Sequence, residues 1–338
     1  DPKDVVNEAL EDLVACNPGL QKLEGYNVVV RTTIDKSKVA IISGGGSGHE
    51  PSHAGWVGPG MLTAAVAGPV FASPASVSVL AAIMHVTGSG GCLVIVKNYT
   101  GDRLNFGLAA EMATAQGIPT EIVVVADDVA LRDTVAPERR RGIAGTVLVH
   151  KVAGSAAERG LPVDEVAALA RQAAEAVGTM GVALGACTVP SIGKPGFTLG
   201  EEEIEIGLGI HGEKGVERVP MQSADALVDR MLVEHLEVAA GDDVGVGLRL
   251  RPVAQHLRRR RAVALLPQPV LVLEVLRQAV RRRLHGAQLR LHEQRVLRVA
   301  RDAVGTAERR RRLVASLEAV PRRLDDGAVG HVCSLSAL

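Results

Sequence analysis

Short apolar segments alternate with longer amphipathic segments along the first 245 residues of this 338-residue chain. Apolar runs bounded by turn residues predict buried strands at 27–31, 39–42, 92–96 and 121–126. Apolar positions that repeat with the helical period predict helices at 3–15, 75–86, 106–116, 143–158, 163–177 and about 222–238. Two further apolar segments follow, at 181–187 and 203–208. This alternation is typical of an α/β protein with a largely parallel sheet, in which ligands bind where strands end at their carboxyl side.

The length and the apolar content of 47% predict a large core divided between two domains. We expect an N-terminal α/β domain over 1–180 and a second α/β domain over 181–338, with largely parallel or mixed sheets. No apolar run reaches the roughly 18–20 residues that a membrane span requires. The acidic opening segment carries no secretory signal pattern. Widely spaced cysteines predict buried thiols in a reducing cytoplasm: Cys16, Cys92, Cys187 and Cys333.

The segment KVAIISGGGSGHEPSH at 38–53 is the richest in candidate chemistry. Four glycines within 44–48 predict a loop after the strand at 39–42, in which a small ligand can approach bare N–H groups. His49 then lies at the exit of that loop. A purely structural turn is the alternative interpretation.

Two other motif interpretations of this segment fit poorly. HEPSH at 49–53 matches the zinc-protease pattern, which needs both histidines on one face of a helix, but Pro51 disfavours helix at the residues before it. We therefore expect no metal site here, with His49 and Glu50 on a loop. A dinucleotide or phosphate-binding loop is also disfavoured, because neither the acidic partner residue nor the Gly-Lys-Ser/Thr sequence follows.

Two more places supply reactive groups in glycine-rich surroundings. Asp102 follows the buried strand at 92–96 in NYTGD, where it could act as a general base for a hydroxyl group or cap a helix that begins near Leu104. Lys97 ends the same strand and could bind an oxygen atom or extend into solvent. His211 lies in GLGIHGEKG at 207–215, where a neutral imidazole could act as acid, base or nucleophile, or simply bond a carbonyl group.

Long segments of the chain resemble the substrate-binding K portion of dihydroxyacetone (glycerone) kinase, over about residues 1–243. They are GGGSGHEPSHAGWVGPGMLTAAVAGPVFASP (44–74), VIVKNYTGDRLNFGLAAE (94–111) and GKPGFTLGEEEIEIGLGIHGEKG (193–215). The segment at 125–160 also fits, and it is more similar to the ATP-dependent branch than to the phosphoenolpyruvate-driven branch.

The resemblance implies roles that spacing alone does not assign. His211 would add to the ketone carbon of dihydroxyacetone to form a hemiaminal, Asp102 would take the proton from the substrate hydroxyl, and His49 would hydrogen-bond the bound substrate. Gly46, Ser47, Gly48 and Lys97 would line the pocket. ATP and Mg²⁺ would be held by a separate L domain or subunit rather than by this chain, which would form a homodimer. From the composition and the short apolar runs we expect contact with neither nucleic acid nor membrane.

A regulatory paralogue that binds dihydroxyacetone without catalysis is the alternative. Such a protein would act on transcription through a partner. The presence of both Asp102 and His49 favours the kinase, because a sensor would need only His211.

The charge balance changes abruptly near residue 245. Up to Gly245 the chain has 18 Lys and Arg against 31 Asp and Glu, and from Val246 it has 20 Arg, no Lys and 7 acidic residues. The strand and glycine turn that the family usually has here are replaced by VGVGLRLRPVAQHLRRRR. We weigh three interpretations of the tail at 246–338: a nucleic-acid surface, which the lack of aromatic residues disfavours; arginine-rich amphipathic helices; and, the one we favour, translation out of frame from a GC-rich gene.

Overall fold

A computed structural model describes residues 1–189, 192–231 and 332–333 of the chain, all of which belong to one structural unit. The predicted α/β fold class is confirmed, with one largely parallel sheet and one antiparallel sheet. The predicted domain boundary at residue 180 remains a prediction. Most of the arginine-rich tail, and the end of the helix predicted at 222–238, lie outside the described residues, of which 224–231 are helical.

The first sheet has six strands in the order β1-β2-β4-β3-β5-β6. Parallel pairing joins β4, β3, β5 and β6, whereas β1 and β2 add an antiparallel edge. The strands are β1 (Leu20–Lys22), β2 (Val28–Arg31), β3 (Ala40–Ser47), β4 (Ala64–Val70), β5 (Cys92–Lys97) and β6 (Thr120–Val125). The carboxyl ends of the two central strands β3 and β5 lie side by side, which is where an open α/β sheet binds ligands.

Helices cover both faces of this sheet. The helices are α1 (Val5–Ala15), α2 (Ser76–Val86), α3 (Thr100–Ala115), α4 (Thr146–Glu158) and α5 (Val163–Ala176). One apolar core joins the sheet to α1, α4 and α5, and a second joins the opposite face to α2 and α3. Each central strand is therefore buried on both sides, which explains why β5 is an uninterrupted apolar run. Short 3₁₀ helices lie at Ala54–Trp56 and Pro137–Arg139.

The second sheet is antiparallel and has the order β10-β7-β8-β9. Its strands are β7 (Val182–Ala183), β8 (Glu203–Ile206), β9 (Glu217–Pro220) and β10 (Val332–Cys333). A smaller apolar core that includes Ile204, Ile206 and Met231 packs against it. This sheet carries the GLGIHGEKG segment between β8 and β9, so His211 belongs to a connection between antiparallel strands.

The prediction that all four cysteines are buried needs correction. Cys16 is exposed, because it follows the last turn of the surface helix α1, and Cys187 is only partly buried, whereas Cys92 is buried in β5 as expected. The side chain of Cys333 lies outside the described residues. No helix within the described part of the chain combines the length and the apolar character that crossing a bilayer demands.

Candidate active site

The glycine-rich segment is mostly strand, so the predicted loop beginning at Gly44 is wrong in extent. Strand β3 continues through Ser47, and its glycines pair with β4 up to Gly46 and Gly68. A side chain at Gly44 would overlap the carbonyl oxygen of Val66 and lie 2.9 Å from Phe106 Cζ. The glycines therefore allow the close packing of two strand ends, and they do not form a free turn.

The N–H groups of this segment are less accessible than the sequence suggests. Ser47 donates its hydroxyl hydrogen to the carbonyl oxygen of Gly68 at 2.8 Å. The N–H of Gly48 donates to the Glu50 carboxylate at 3.1 Å. A side chain at Gly46 would lie 2.6 Å from the backbone nitrogen of Ala72, so this stretch lies directly against 68–72.

Lys97 and Asp102 converge beside Gly45. A methyl group added at Gly45 would lie 3.5 Å from Asp102 Oδ2 and 3.7 Å from Lys97 Nζ. Lys97 is 3% exposed rather than extended into solvent, and Asp102 is 5% exposed. Burial lowers the pKa of Lys97, and burial raises the pKa of Asp102 against the opposing influence of Ser73, Lys97 and His211.

Asp102 does not cap its helix. Helix α3 begins at Thr100 after Tyr99, which places Asp102 inside the first turn with its carboxyl group buried. The helix-cap interpretation of this residue is therefore wrong, because the helix begins four residues earlier than Leu104.

His49 lies against the ring of Phe71 and close to His211. Its ring stacks on Phe71 with centroids 5.0 Å apart, and the edge-to-face distance to the His211 ring is 4.9 Å. Burial, together with the charges of Lys97 and His211, lowers the pKa of His49 to about 3. His49 is therefore a neutral imidazole at physiological pH.

The helix that a zinc-protease motif requires is replaced by a bend and a turn over 48–53. His53 packs its buried ring against His150, with centroids 5.3 Å apart. Within the described residues, no group of three or more His, Cys, Asp or Glu side chains is arranged to hold a metal ion.

His211 is held between aromatic rings and a carboxylate. The ring of Tyr99 meets it edge-to-face at 4.5 Å, and Phe71 lies 5.9 Å away. Glu213 bonds the imidazole Nδ1 at 3.0 Å, so the imidazole partner is a carboxylate and not the carbonyl group considered from the sequence.

Arg141 connects the His211 segment to the first sheet. Its guanidinium donates to Asp128 Oδ2 at 2.5 Å and to the carbonyl oxygen of Gly207 at 2.8 Å. Both partners of the ion pair are almost fully buried, with side chains 11% and 1% exposed. The segment that carries His211 is thus fastened beside β6 by a buried, charge-assisted contact.

Several polar atoms in this cluster lack partners. His49 Nε2, Tyr99 Oη and Asp102 Oδ1 are buried and find no hydrogen-bond partner among the described residues. Buried polar groups in folded proteins are almost always hydrogen-bonded, so a polar ligand or water in this cluster would satisfy these atoms. The site offers a carboxylate, two imidazoles, a phenol and an ammonium group, which suits a small polar molecule rich in hydroxyl groups.

The sequence alone did not identify three of these contributors: Phe71, Tyr99 and Glu213. Phe71 has φ of 57°, a left-handed conformation that is unusual for a large side chain and often occurs at functional sites. No periodicity or composition signal marks that conformation. Tyr99 and Glu213 were adjacent to the residues that the motifs did identify, and only the fold shows that they face His211.

The comparisons with known proteins agree with this architecture. The Dak1 domain family matches residues 11–255. The Homo sapiens protein Triokinase/FMN cyclase is 54% identical over 234 residues, which cover 68% of this chain and 40% of that protein. The chain thus spans about two fifths of the length of this curated relative.

Two solved structures extend the similarity to the fold. The dihydroxyacetone kinase from C. freundii in complex with AMP-PNP and Mg²⁺ aligns with a TM-score of 0.66 and 45% identity, covering 70% of this chain and 44% of that one. The dihydroxyacetone kinase operon co-activator Dha-DhaQ aligns with a TM-score of 0.64 and 38% identity, covering 69% and 71%. Because the family match covers residues 11–255, more than half of this chain, the chain belongs to the Dak1 domain family.

Proposed function

We propose that this chain is the substrate-binding K part of a dihydroxyacetone kinase. The observation that supports it is the convergence of His211, His49 and Asp102 in one cluster, with unpaired polar atoms on the last two. His211 binds the carbonyl carbon of dihydroxyacetone covalently as a hemiaminal. Asp102 then accepts the proton of the terminal hydroxyl group as phosphoryl transfer proceeds, which gives dihydroxyacetone phosphate.

The covalent bond provides selectivity that hydrogen bonds alone cannot. Dihydroxyacetone and glycerol are similar in size and polarity, so noncovalent contacts discriminate poorly between them. Addition of an imidazole nitrogen requires a carbonyl group and therefore rejects polyols. The bond also fixes the hydroxyl group for in-line transfer, where positioning supplies much of the rate acceleration.

The neighbours of Asp102 suit the role of a base. Burial raises the pKa of Asp102, which strengthens it as a proton acceptor, while the nearby Lys97 ammonium favours the carboxylate form. His49 is neutral and has an unpaired Nε2, so it can bond the bound substrate without adding charge.

The phosphoryl donor in this proposal is ATP with Mg²⁺, held by an L domain or subunit. The structure of the C. freundii kinase was obtained with AMP-PNP and Mg²⁺, and the present chain spans 44% of that kinase. A cytoplasmic location is part of the proposal, and the described cysteines Cys16, Cys92 and Cys187 are unpaired thiols, as a reducing compartment favours.

A homodimer is also part of the proposal. Helices α2 and α3 expose large apolar side chains on their outer surface, including Val77, Met84, Leu104 and Leu108, each at least half exposed. A second copy of the chain would cover them. Light scattering should give a dimer for the wild type and a monomer for the Leu104→Glu/Leu108→Glu variant; a monomeric wild type would contradict this part of the proposal.

The decisive experiment uses dihydroxyacetone labelled with ¹³C at the carbonyl carbon. We expect its NMR signal to move from the ketone region to that of tetrahedral carbon with the wild-type protein, and to stay unchanged with His211→Ala. Addition of an L component and ATP should then produce dihydroxyacetone phosphate. A ketone signal that does not change with the folded wild type would overturn the proposal.

One observation favours a second candidate, a regulatory protein that binds dihydroxyacetone without phosphorylating it. The chain is 38% identical to the dihydroxyacetone kinase operon co-activator and covers 71% of that chain. The same labelled ligand discriminates the two: the ¹³C shift without product formation, at saturating L component and ATP, would support the regulator.

A further inference from the structure

Glu213 makes two hydrogen bonds to the same neighbouring residue. Its Oε2 accepts the backbone N–H of His211 at 2.9 Å, and its Oε1 lies 3.0 Å from the imidazole Nδ1 of His211. The two oxygens of one carboxylate thus face one fixed donor and one titratable ring nitrogen. A carboxylate can accept both bonds because it has no hydrogen of its own.

The local chain is shaped around this carboxylate. The backbone N–H of Gly209 donates to the Glu213 carbonyl oxygen at 2.9 Å, and any side chain at Gly209 would overlap Glu213 Oε2. Burial alone would raise the pKa of Glu213, but the hydrogen bonds from the His211 ring and from the backbone N–H groups of residues 213 and 211 lower it to about 2. The group is therefore ionised at every pH at which the protein would work.

The identity of the acceptor decides which imidazole nitrogen is reactive. A carboxylate at Nδ1 requires a hydrogen on Nδ1, so the neutral ring has its free lone pair on Nε2. When Nε2 forms a bond to a ketone carbon, the carbonyl π electrons move to oxygen, and that oxygen takes up one proton from bulk solvent, so that adduct formation consumes one proton. The ring keeps its Nδ1 hydrogen and becomes cationic, 3.0 Å from a negative charge.

We propose that Glu213 is a positioning residue that holds His211 as the Nδ1–H tautomer and stabilises the positive charge of its ketone adduct. This inference rests on the proposed function for the adduct, whereas the tautomer can be measured without any ligand.

The variant Glu213→Gln gives a sharp test because the two groups that Glu213 contacts differ: one is the backbone N–H of His211, and the other is its titratable ring nitrogen Nδ1. The backbone N–H of His211 can only donate, so the amide oxygen is expected to face it and the amide NH₂ to face Nδ1. An NH₂ donor at Nδ1 requires the opposite tautomer, with the hydrogen on Nε2 and no lone pair there. Glu213→Gln should therefore be more harmful than Glu213→Ala, which leaves both tautomers accessible.

The tautomer is read by NMR of the full chain labelled with ¹⁵N in its histidine rings, with the signal of His211 assigned from His211→Ala. We expect Nδ1–H in the wild type, Nε2–H in Glu213→Gln and a mixture in Glu213→Ala. Glu217→Gln is the matched control, because Glu217 is an exposed carboxylate of β9 that pairs with Arg230. It should leave the wild-type tautomer unchanged.

Adduct formation is then measured with ¹³C-labelled dihydroxyacetone. The fraction of Glu213→Gln carrying the adduct should fall at least about tenfold at equal ligand concentration, as expected when a partner residue imposes the wrong tautomer, with Glu213→Ala intermediate. Wild-type protein with Nε2–H, or equal adduct in the wild type and Glu213→Gln, would overturn the role of Glu213. A wild type that shows the Nδ1–H tautomer but no adduct would instead overturn the proposed function and the charge-stabilising part, leaving the tautomer assignment in place.

Discussion

Asp102 combines burial with an unpaired oxygen. The residue is 5% exposed, and its Oδ1 has no partner among the described residues. A carboxyl group of this kind is a costly feature for stability alone, because an unpaired buried polar atom costs about 1–3 kcal/mol. A role in binding a polar ligand would offset this cost.

Replacement of that carboxylate should separate binding from turnover. Asp102→Asn keeps the size of the side chain and leaves His211 intact, so the ¹³C-labelled ketone should still form its adduct. Loss of the base should lower kcat with saturating L component and ATP by at least about 100-fold. The exposed Asp12→Asn in α1 serves as the control, and turnover of Asp102→Asn near the wild-type rate would rule Asp102 out as the base.

The pH dependence of kcat/KM should identify the same group, because kcat/KM reports the pKa values of the free enzyme. The proposed base acts as a carboxylate, and burial raises the pKa of Asp102 above the ordinary value of 3.8, so kcat/KM should decline along an acidic limb as the pH falls through a value higher than 3.8. Burial lowers the pKa of His49 to about 3, so the acidic limb should persist in His49→Gln and disappear in Asp102→Asn. A wild-type limb at or below 3.8 would contradict the assignment.

At the scale of elements, the apolar runs predicted β2, β5 and β6 to within one residue at each end, because strands that are buried on both faces consist of nearly continuous apolar residues. Strand β4 was missed. Its sequence AAVAGPV has only two β-branched residues among three alanines, a glycine and a proline, so its strand propensity is weak. It forms because β3 and β2 lie on either side of it and small side chains suit that position.

The residues of the candidate site likewise fall into those that the sequence indicated and those that only the structure shows. The sequence indicated Lys97 and Asp102 because they lie at and just beyond the end of a predicted buried strand, and it indicated His211 because glycines surround it. The contributions of Phe71 and Arg141 depend on contacts between residues far apart in the chain, which no local pattern records. The glycines at 44–46 were interpreted as a loop although they lie in β3, because glycine is used both where a turn needs conformational freedom and where strands pack closely.

The packing between β3 and β4 can be tested at one glycine. Gly44→Ala would force its methyl group against the Val66 carbonyl oxygen and the Phe106 ring, so we expect a loss of about 1–3 kcal/mol in the free energy of unfolding. Gly107→Ala is the control, because it lies in α3 with open space around the added methyl group and should be neutral or stabilising. Equal denaturation midpoints for the two variants would contradict this account.

At the scale of the whole described unit, Arg141 links the connection after β6 to the end of β8, because it pairs with Asp128 and donates to the carbonyl oxygen of Gly207. Arg141→Ala would leave the Asp128 carboxylate buried without its partner, which typically costs about 3–5 kcal/mol. The exposed pair Arg171–Glu121 offers the comparison, since Arg171→Ala should cost less than about 1 kcal/mol. Chemical denaturation measures both, and a similar small loss for both variants would show that the buried pair does not stabilise the fold.

The position of His211 on the antiparallel sheet has a consequence for the free protein. His49 follows β3, and Asp102 lies in the first turn of α3, which packs on the parallel sheet. A ketone bonded to His211 and hydrogen-bonded to Asp102, as proposed, would therefore link the layers built on the two sheets. Binding to the folded state alone adds about 2.7 kcal/mol at a ligand concentration 100 times Kd. Calorimetry should show dihydroxyacetone, but not glycerol, raising the melting temperature of the wild type while leaving His211→Ala unchanged. At low ketone concentration the protein would then be mostly ligand-free and would unfold more readily.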